Sequence, residues 1–185
     1  MRNDVNVTGI ATASETIENG NSTKGLVFGR SDEGYAVVDF TGTASEVVIP
    51  AVYNGLLVVA IGNKAFCRNQ LTSVIIPDSV TSIGKLAFAL TQLTSVTIPD
   101  GVTHIGFGAF GGNRLTSVTI PDSVTNIAWN AFADNQLSCV TIGDNVIYIG
   151  EEAFAWNKSL TKVTVPRSTH VAQNAFDPSV EIIRS

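Results

Sequence analysis

From Val47 to its end the chain repeats itself every 22 residues, and that period constrains the fold more than any other feature. The dipeptide Ala-Phe stands at Ala65-Phe66, Ala87-Phe88, Ala109-Phe110, Ala131-Phe132, Ala153-Phe154 and Ala175-Phe176. Leu71, Leu93, Leu115 and Leu137 keep the same spacing, and Leu160 comes one residue late. The unit reads LTSVTIPDSVTxIGxxAFxxNQ. Self-similarity at such a period marks a solenoid, a chain wound into coils whose equivalent positions stack on one another.

Each part of the unit has a physical task. In Leu-x-x-Val-x-Ile the apolar residues alternate as in a strand, so Val and Ile point inward and the positions between them point out. Pro followed by Asp-Ser ends the strand, because Pro has no N–H for the ladder and Asp-Ser suits a turn. Val-x-x-Ile returns across the far side, a Gly permits a tight bend, and Ala-Phe fills the interior at a short helical or 3₁₀ turn. Asn69, Asn113, Asn135 and Asn157 follow each Phe by three residues, with Thr91 in place of Asn in one coil. Buried Asn at a fixed repeat position can bond the backbone of the next coil and form a ladder, expected to be weaker at Thr91. One coil cannot stabilise itself. About seven buried side chains at ~1.5–3 kcal/mol each are set against ~1–2 kcal/mol of ordering entropy per residue. Stability must come from neighbouring coils.

The ends depart from the unit. Residues 1–24 are polar and read as a loosely held or edge-strand segment. Residues 25–46 hold two β-rich runs around Arg30-Ser31-Asp32-Glu33-Gly34 and read as a hairpin cap. Residues 47–185 are the solenoid. Its first coil has a five-residue insertion between Pro50 and Ile61, with Asn54-Gly55 as a turn signal. Its last unit lacks one residue between Pro166 and Val171. Ser179–Ile183 supply a half-coil strand as the C-terminal cap, with Glu181 and Arg184 protecting the edge.

The fold class expected is therefore a β-rich solenoid of the leucine-rich-repeat type: a right-handed superhelix of about six coils with short parallel strands and an N-terminal hairpin. Composition agrees, with 44% hydrophobic and 15% charged residues, enough for one core and too apolar for disorder. Eleven basic against 16 acidic residues give a net charge of −5, which argues against nucleic acid as a partner. No apolar run approaches the ~20 residues of a membrane span, so membrane insertion is not expected. No secretory signal follows Met1. Asn6, Asn21 and Asn157 head N-x-[ST] sequons.

The repeated LTSVTIPDSVTSIGKLAF, with a YNG before the first IGxxAF, resembles the BspA-like leucine-rich-repeat family over roughly residues 35–185. The usual unit of that family has 23 residues and a Cys after AFxx. Most units here have 22, with Asn or Thr in that place. The resemblance implies a bacterial surface or secreted protein, or a module of one. It also implies binding of a protein ligand, such as a host or matrix protein, through a repeat surface. It supplies no catalytic residue.

Other constellations carry little chemistry. Gly106–Gly111 matches G-x-G-x-x-G but has no strand and long helix around it, as a dinucleotide site requires. His104 and His170 lack companions at metal spacing. Ser residues are plentiful without a nucleophile elbow. Cys67 and Cys139 sit in different columns three coils apart, beyond disulfide reach. Asp78, Asp100, Asp122 and Asp144 form a column that suits turns, with a cation site as the sharper alternative, although one column offers calcium too few oxygens. No enzyme, metal or cofactor is expected.

Two surfaces stand out as partner-binding candidates. The outward strand positions are small and polar, including Ser95, Thr97, Ser117, Thr119 and Thr141, and read either as solvated strand filling or as a concave binding face. Leu86, Phe107, Trp129 and Trp156 are large apolar residues outside the inward set. Asn63, Lys85, Glu151 and Gln173 fill the Phe107–Trp129 column elsewhere, so folding does not demand aromatics there. The expected function is a non-enzymatic protein-binding or adhesion module, acting on a protein ligand or by self-association. The alternatives are a structural spacer within a larger surface protein, and an enzyme with a spatially assembled site.

Overall fold

The computed structural model describes the backbone of Ile10–Thr12 and residues 23–185. Residues 1–9 and 13–22, and with them Asn6, Asn21 and most of the 1–24 segment, lie outside the described residues. The described chain is a β-solenoid of about seven turns with no helix among the described residues.

β1 (Ile10–Thr12) pairs antiparallel with β2 (Leu26–Ser31), and β2 with β3 (Gly34–Phe40) across Asp32-Glu33. β4 (Glu46–Val48) follows, then β5 (Val52–Tyr53) and β6 (Leu56–Ile61). The loop joining the last two is Asn54-Gly55, with φ of 48° and 74°. Positive φ at both positions matches the right-handed twist of a two-residue hairpin. Then come β7 (Ser73–Ile75), β8 (Ser82–Ile83), β9 (His104–Ile105) and β10 (Ser117–Thr119). β11 (Asn126–Ile127), β12 (Cys139–Thr141) and β13 (Tyr148–Ile149) lead on to β14 (Lys162–Val165), β15 (His170–Val171) and β16 (Glu181–Arg184).

The Val-x-x-Ile segments make a continuous parallel ladder, β6-β8-β9-β11-β13-β15, joined through β3 to the hairpin. Its register advances by one repeat per strand: Ile61 faces Ile83, Ile105, Ile127, Ile149 and Val171 in turn. The other face is split into β4-β7 and β10-β12-β14-β16. Between them Ser95, Val96 and Thr97 form no strand, although TSVTI at 94–98 is letter for letter the TSVTI at 116–120. Local propensity therefore does not decide this point; ladder bonds do. Thr94 N–H reaches Thr72 O at 3.4 Å, where Ser138 N–H reaches Thr116 O at 2.9 Å. The opening directly follows Thr91, which stands between Asn69 and Asn113 in its column.

Inside, seven phenylalanines form one column. Phe40 meets Phe66 at 5.5 Å between centroids. From Phe66 to Phe176 successive rings lie 5.0–5.3 Å apart and within 10° of parallel. Beside them runs the Asn ladder, directed to the preceding coil rather than the next. Asn113 Nδ2 donates to Phe88 O (2.8 Å) and Phe110 O (3.1 Å), and its Oδ1 accepts from Leu93 N–H (3.0 Å). Asn135 and Asn157 repeat the pattern. The Thr91 hydroxyl lies between Phe88 O and Asn113 Oδ1.

The Ala-Phe segment is a chain of turns, and the reason it is not helical is visible in its peptide directions. Two columns hold left-handed φ: Lys64, Leu86, Gly108, Asn130 and Glu152, and four residues later Arg68, Leu90, Gly112, Asp134 and Trp156, with φ of 54–69°. These residues flip alternate peptides. The N–H groups of Ala65, Cys67 and Asn69 close turns to Gly62, Lys64 and Phe66. Those of Lys64, Phe66 and Arg68 instead reach Lys85 O, Ala87 O and Ala89 O of the next coil at 2.8–2.9 Å. A helix would aim every N–H along its own axis and leave the coils unbonded.

Candidate functional site

The six-residue turns 63–68, 85–90, 107–112, 129–134 and 151–156 stack into a face that runs the length of the solenoid. Ala and Phe point in, the first, second and sixth positions of each turn carry the outward side chains, and the fifth is buried at Ala89, Ala133 and Ala155. The first turn offers Lys64 and Arg68, both exposed, and the second Lys85 with Leu86 and Leu90. The third has no charge: Phe107, Gly108, Gly111 and Gly112. The fourth has Trp129, Asn130 and Asp134, and the fifth Glu151, Glu152 and Trp156. Cations thus stand at one end, anions at the other, and glycine in the middle.

A groove of about 710 Å³ lies across this face. Leu86, Leu90, Phe107 and Trp156 line it, with Lys64 and Arg68 at one end and Asp134 at the other. The glycines shape its floor. A Cβ on Gly108 would meet Leu86 Cδ2 at 2.7 Å, and one on Gly112 would meet Leu90 Cδ2 at 2.6 Å. The second coil's leucines therefore lie over the third coil's bare backbone. Leu90 and Trp156 are each 53% exposed, although both hold left-handed φ. Such backbone costs on the order of 1 kcal/mol or more for a residue with a Cβ. Cys67 also borders the groove, half-buried and free; Cys139 is free and exposed on β12.

The apolar candidates named from sequence divide between two places. Leu86, Phe107 and Trp156 share the groove. Trp129 faces a neighbouring hollow with Tyr148 and Glu151. It still touches Phe107 edge to face at 5.4 Å, and Lys85 Nζ sits 5.0 Å from the centre of the Phe107 ring. Trp129 Nε1 donates to Glu152 Oε2 at 3.0 Å, and its ring stays 49% exposed. The pair is thus self-packed yet still accessible. Ser117, Thr119 and Thr141 point outward from β10 and β12 on the opposite, strand-lined face. Ser95 and Thr97 lie in its gap. Sequence reasoning missed the polarity of the turn face and the part played by Arg68, Leu90, Glu151 and Glu152. The signal was there in the column order Lys, Leu, Gly, Asn, Glu and Arg, Leu, Gly, Asp, Trp.

The remaining candidate chemistry is structural. His104 Nδ1 lies 3.0 Å from Thr103 Oγ1 and its Nε2 3.3 Å from Asn126 Nδ2, while His170 stacks on Tyr148 at 5.5 Å. Among the described residues no group of three or more His, Cys, Asp or Glu could hold a metal ion. In the acidic column, Asp122 Oδ1 accepts from Asp144 N–H at 2.8 Å, tying one turn to the next. An Asn keeps that acceptor and drops the charge. Asp122→Asn is therefore expected to leave stability unchanged at ~0.1 M salt and to raise it slightly at low salt. Asp122→Ala should cost up to about 1 kcal/mol. Urea unfolding with and without millimolar calcium checks both; a calcium-dependent rise in melting temperature that Asp122→Asn abolishes would make the column a cation site instead.

The comparisons agree with the repeat fold. The BspA type leucine rich repeat region matches residues 59–183 in six copies. A leucine-rich repeat protein from Bacteroides ovatus is 23% identical, with a TM-score of 0.63 over 92% of this chain and 52% of its own. A leucine rich cell surface protein from Faecalibacterium prausnitzii is 27% identical, with a TM-score of 0.62 over 93% and 56%. The pneumococcal vaccine antigen PcpA shares the fold at 18% identity, with a TM-score of 0.71 over 97% and 50%. The chain spans about half the length of these structures. No curated protein matches it. Six repeat copies, a fixed register and a shared solenoid place the chain in the BspA-type leucine-rich-repeat family.

Proposed function

We propose that this chain is a non-enzymatic protein-binding module and that its turn face is the contact surface. The observation that supports this best is the exposure of Leu90, Trp129 and Trp156 at repeat positions where other coils carry Arg, Asp, Lys or Glu. Folding accepts polar residues there, so burial does not account for the apolar ones. Aromatic and aliphatic anchors in a hollow with a polar rim are what protein contacts use. The leucine-rich-repeat fold is generally non-enzymatic, and among the described residues no helix is long and apolar enough to cross a membrane. Likeness to a bacterial cell surface protein at 27% identity supports a surface or adhesive setting. The small polar side chains of the strand face favour the second reading, a spacer within a larger surface protein.

The double substitution Phe107→Lys and Trp129→Glu borrows residues found in the same column at Lys85 and Glu151. The variant should fold with a small loss of stability by thermal denaturation. Its capture of protein from extracts of co-resident cells, or its self-association, should fall at least about tenfold. An unfolded variant would make both rings core and move the contact to Ser117, Thr119 and Thr141.

A further inference from the structure

We infer that the partner of the turn face is a second copy of this chain, docked antiparallel about a two-fold axis through the third coil. This rests on the turn face being the contact surface, and it adds the identity of the occupant. A two-fold contact requires a patch complementary to itself. Reading along the face, the charges run Lys64 and Arg68, then Lys85, then none, then Asp134, then Glu151 and Glu152. Inverting that order about the third coil sets coil one of one copy against coil five of the other, and coil two against coil four. Every cationic turn then meets an anionic one. A partner of one uniform charge would leave one end of the groove facing like charge.

The centre of the pattern is uncharged and apolar. Gly108, Gly111 and Gly112 give the third turn no side chain beyond Phe107 and the inward Ala109 and Phe110. Leu86 and Leu90, lying over Gly108 and Gly112, form an apolar strip beside the axis, and Trp156 lies at the acidic end beyond it. Arg68 of one copy would meet the turn that carries Glu151, Glu152 and Trp156 in the other. Carboxylates and an indole face both suit a guanidinium.

Five coils at about 5 Å each make a strip only ~25 Å long, short for the ~800 Å² that each partner buries in a standard interface. The dimer should therefore be weak, concentration-dependent and favoured by low salt. Purified chain is examined alone by sedimentation equilibrium between ~10 µM and ~1 mM in ~20 mM and ~0.5 M salt. A monomer–dimer equilibrium that weakens at the higher salt is expected. Arg68→Asp, borrowed from Asp134, and Glu151→Lys, borrowed from Lys85, should each weaken self-association at least about tenfold by facing like charges twice across the axis. Mixed in equal amounts, these two variants should pair with each other, because each copy then supplies the sign the other lacks. A chain that stays monomeric at ~1 mM in low salt, or variants that do not recover on mixing, would overturn the second-copy assignment. The turn-face reading itself would still stand if Phe107→Lys/Trp129→Glu lost capture of a foreign protein, so the two can fail separately.

Discussion

Replacing Phe110 by Ala should cost about 3–5 kcal/mol, the usual range for deleting a fully buried ring. Phe110 has no exposed surface and lies between Phe88 at 5.3 Å and Phe132 at 5.2 Å. Both ring contacts disappear together with the transfer energy. The coil cannot collapse into the gap, because its turn is bonded to both neighbours through Phe110 N–H to Ala131 O and Phe88 N–H to Ala109 O. Phe176→Ala should cost at least about 1 kcal/mol less. Phe176 has one ring neighbour, Phe154 at 5.1 Å, and is already 6% exposed. Its loss should fray the last coil and leave the others standing, which urea unfolding reads as a lower m-value. Equal losses from the two substitutions would mean that the coils are not held by their neighbours.

Asn135→Ala is expected to be nearly as costly, about 2–4 kcal/mol, through a different mechanism. Its Nδ2 donates to Phe110 O at 2.9 Å and Phe132 O at 3.1 Å, and its Oδ1 accepts from Leu115 N–H at 3.0 Å. Alanine removes the one side chain that satisfies that buried N–H and takes a donor from each of the Phe110 and Phe132 carbonyls. Asn135→Thr supplies an internal control, since Thr91 already occupies this column. It should lose less than Ala and should reproduce at Cys139–Thr141 the strand opening seen at Ser95–Thr97. Amide hydrogen exchange would detect that opening as faster exchange. A loss below about 1 kcal/mol for the Ala variant would reduce the ladder to an ornament of the stack.

Both residues could be picked out from sequence because a repeat writes its core as identity at fixed spacing. Phe110 and Asn135 belong to columns that hardly vary, and invariance within one chain reports a position every coil needs. Asn54-Gly55 was legible for a related reason, since that pair suits only one kind of turn. The left-handed columns were not legible. Lys64, Leu86, Gly108, Asn130 and Glu152 look like surface filling, and only Gly108 and Asn130 hint at positive φ. The short helical or 3₁₀ turn expected at Ala-Phe is a chain of turns instead, because peptide direction is set by bonding to the next coil and not by the turn's own residues. The gap at Ser95–Thr97 was hidden for the same reason: its text is shared with a coil that does pair. At the candidate site, sequence named Leu86, Phe107, Trp129 and Trp156 but could not show that three of them share one groove. That depends on the glycines beneath the leucines.

The ladder bonds behave as a spatial reading frame. Asn135 reaches 25 residues back to Phe110 and accepts from a residue 20 back, Leu115. A coil that is one residue too long puts the rungs that span it out of phase unless a loop takes up the extra residue. The chain contains one such error and its suppressor. An extra residue between Asn157 and Leu160, in the exposed loop at Lys158-Ser159, shifts β14 so that Thr164 faces Thr141, 23 positions earlier. The missing residue between Pro166 and Val171 removes the shift, and Val171 again faces Ile149, 22 positions earlier. Length changes are thus absorbed in the loops of a single coil: the five residues added between Pro50 and Ile61 set Val47 against Val74, 27 positions later, yet Ala60 still faces Ser82 at 22. A residue added inside a strand has no such outlet and would turn the inward side chains of that strand outward.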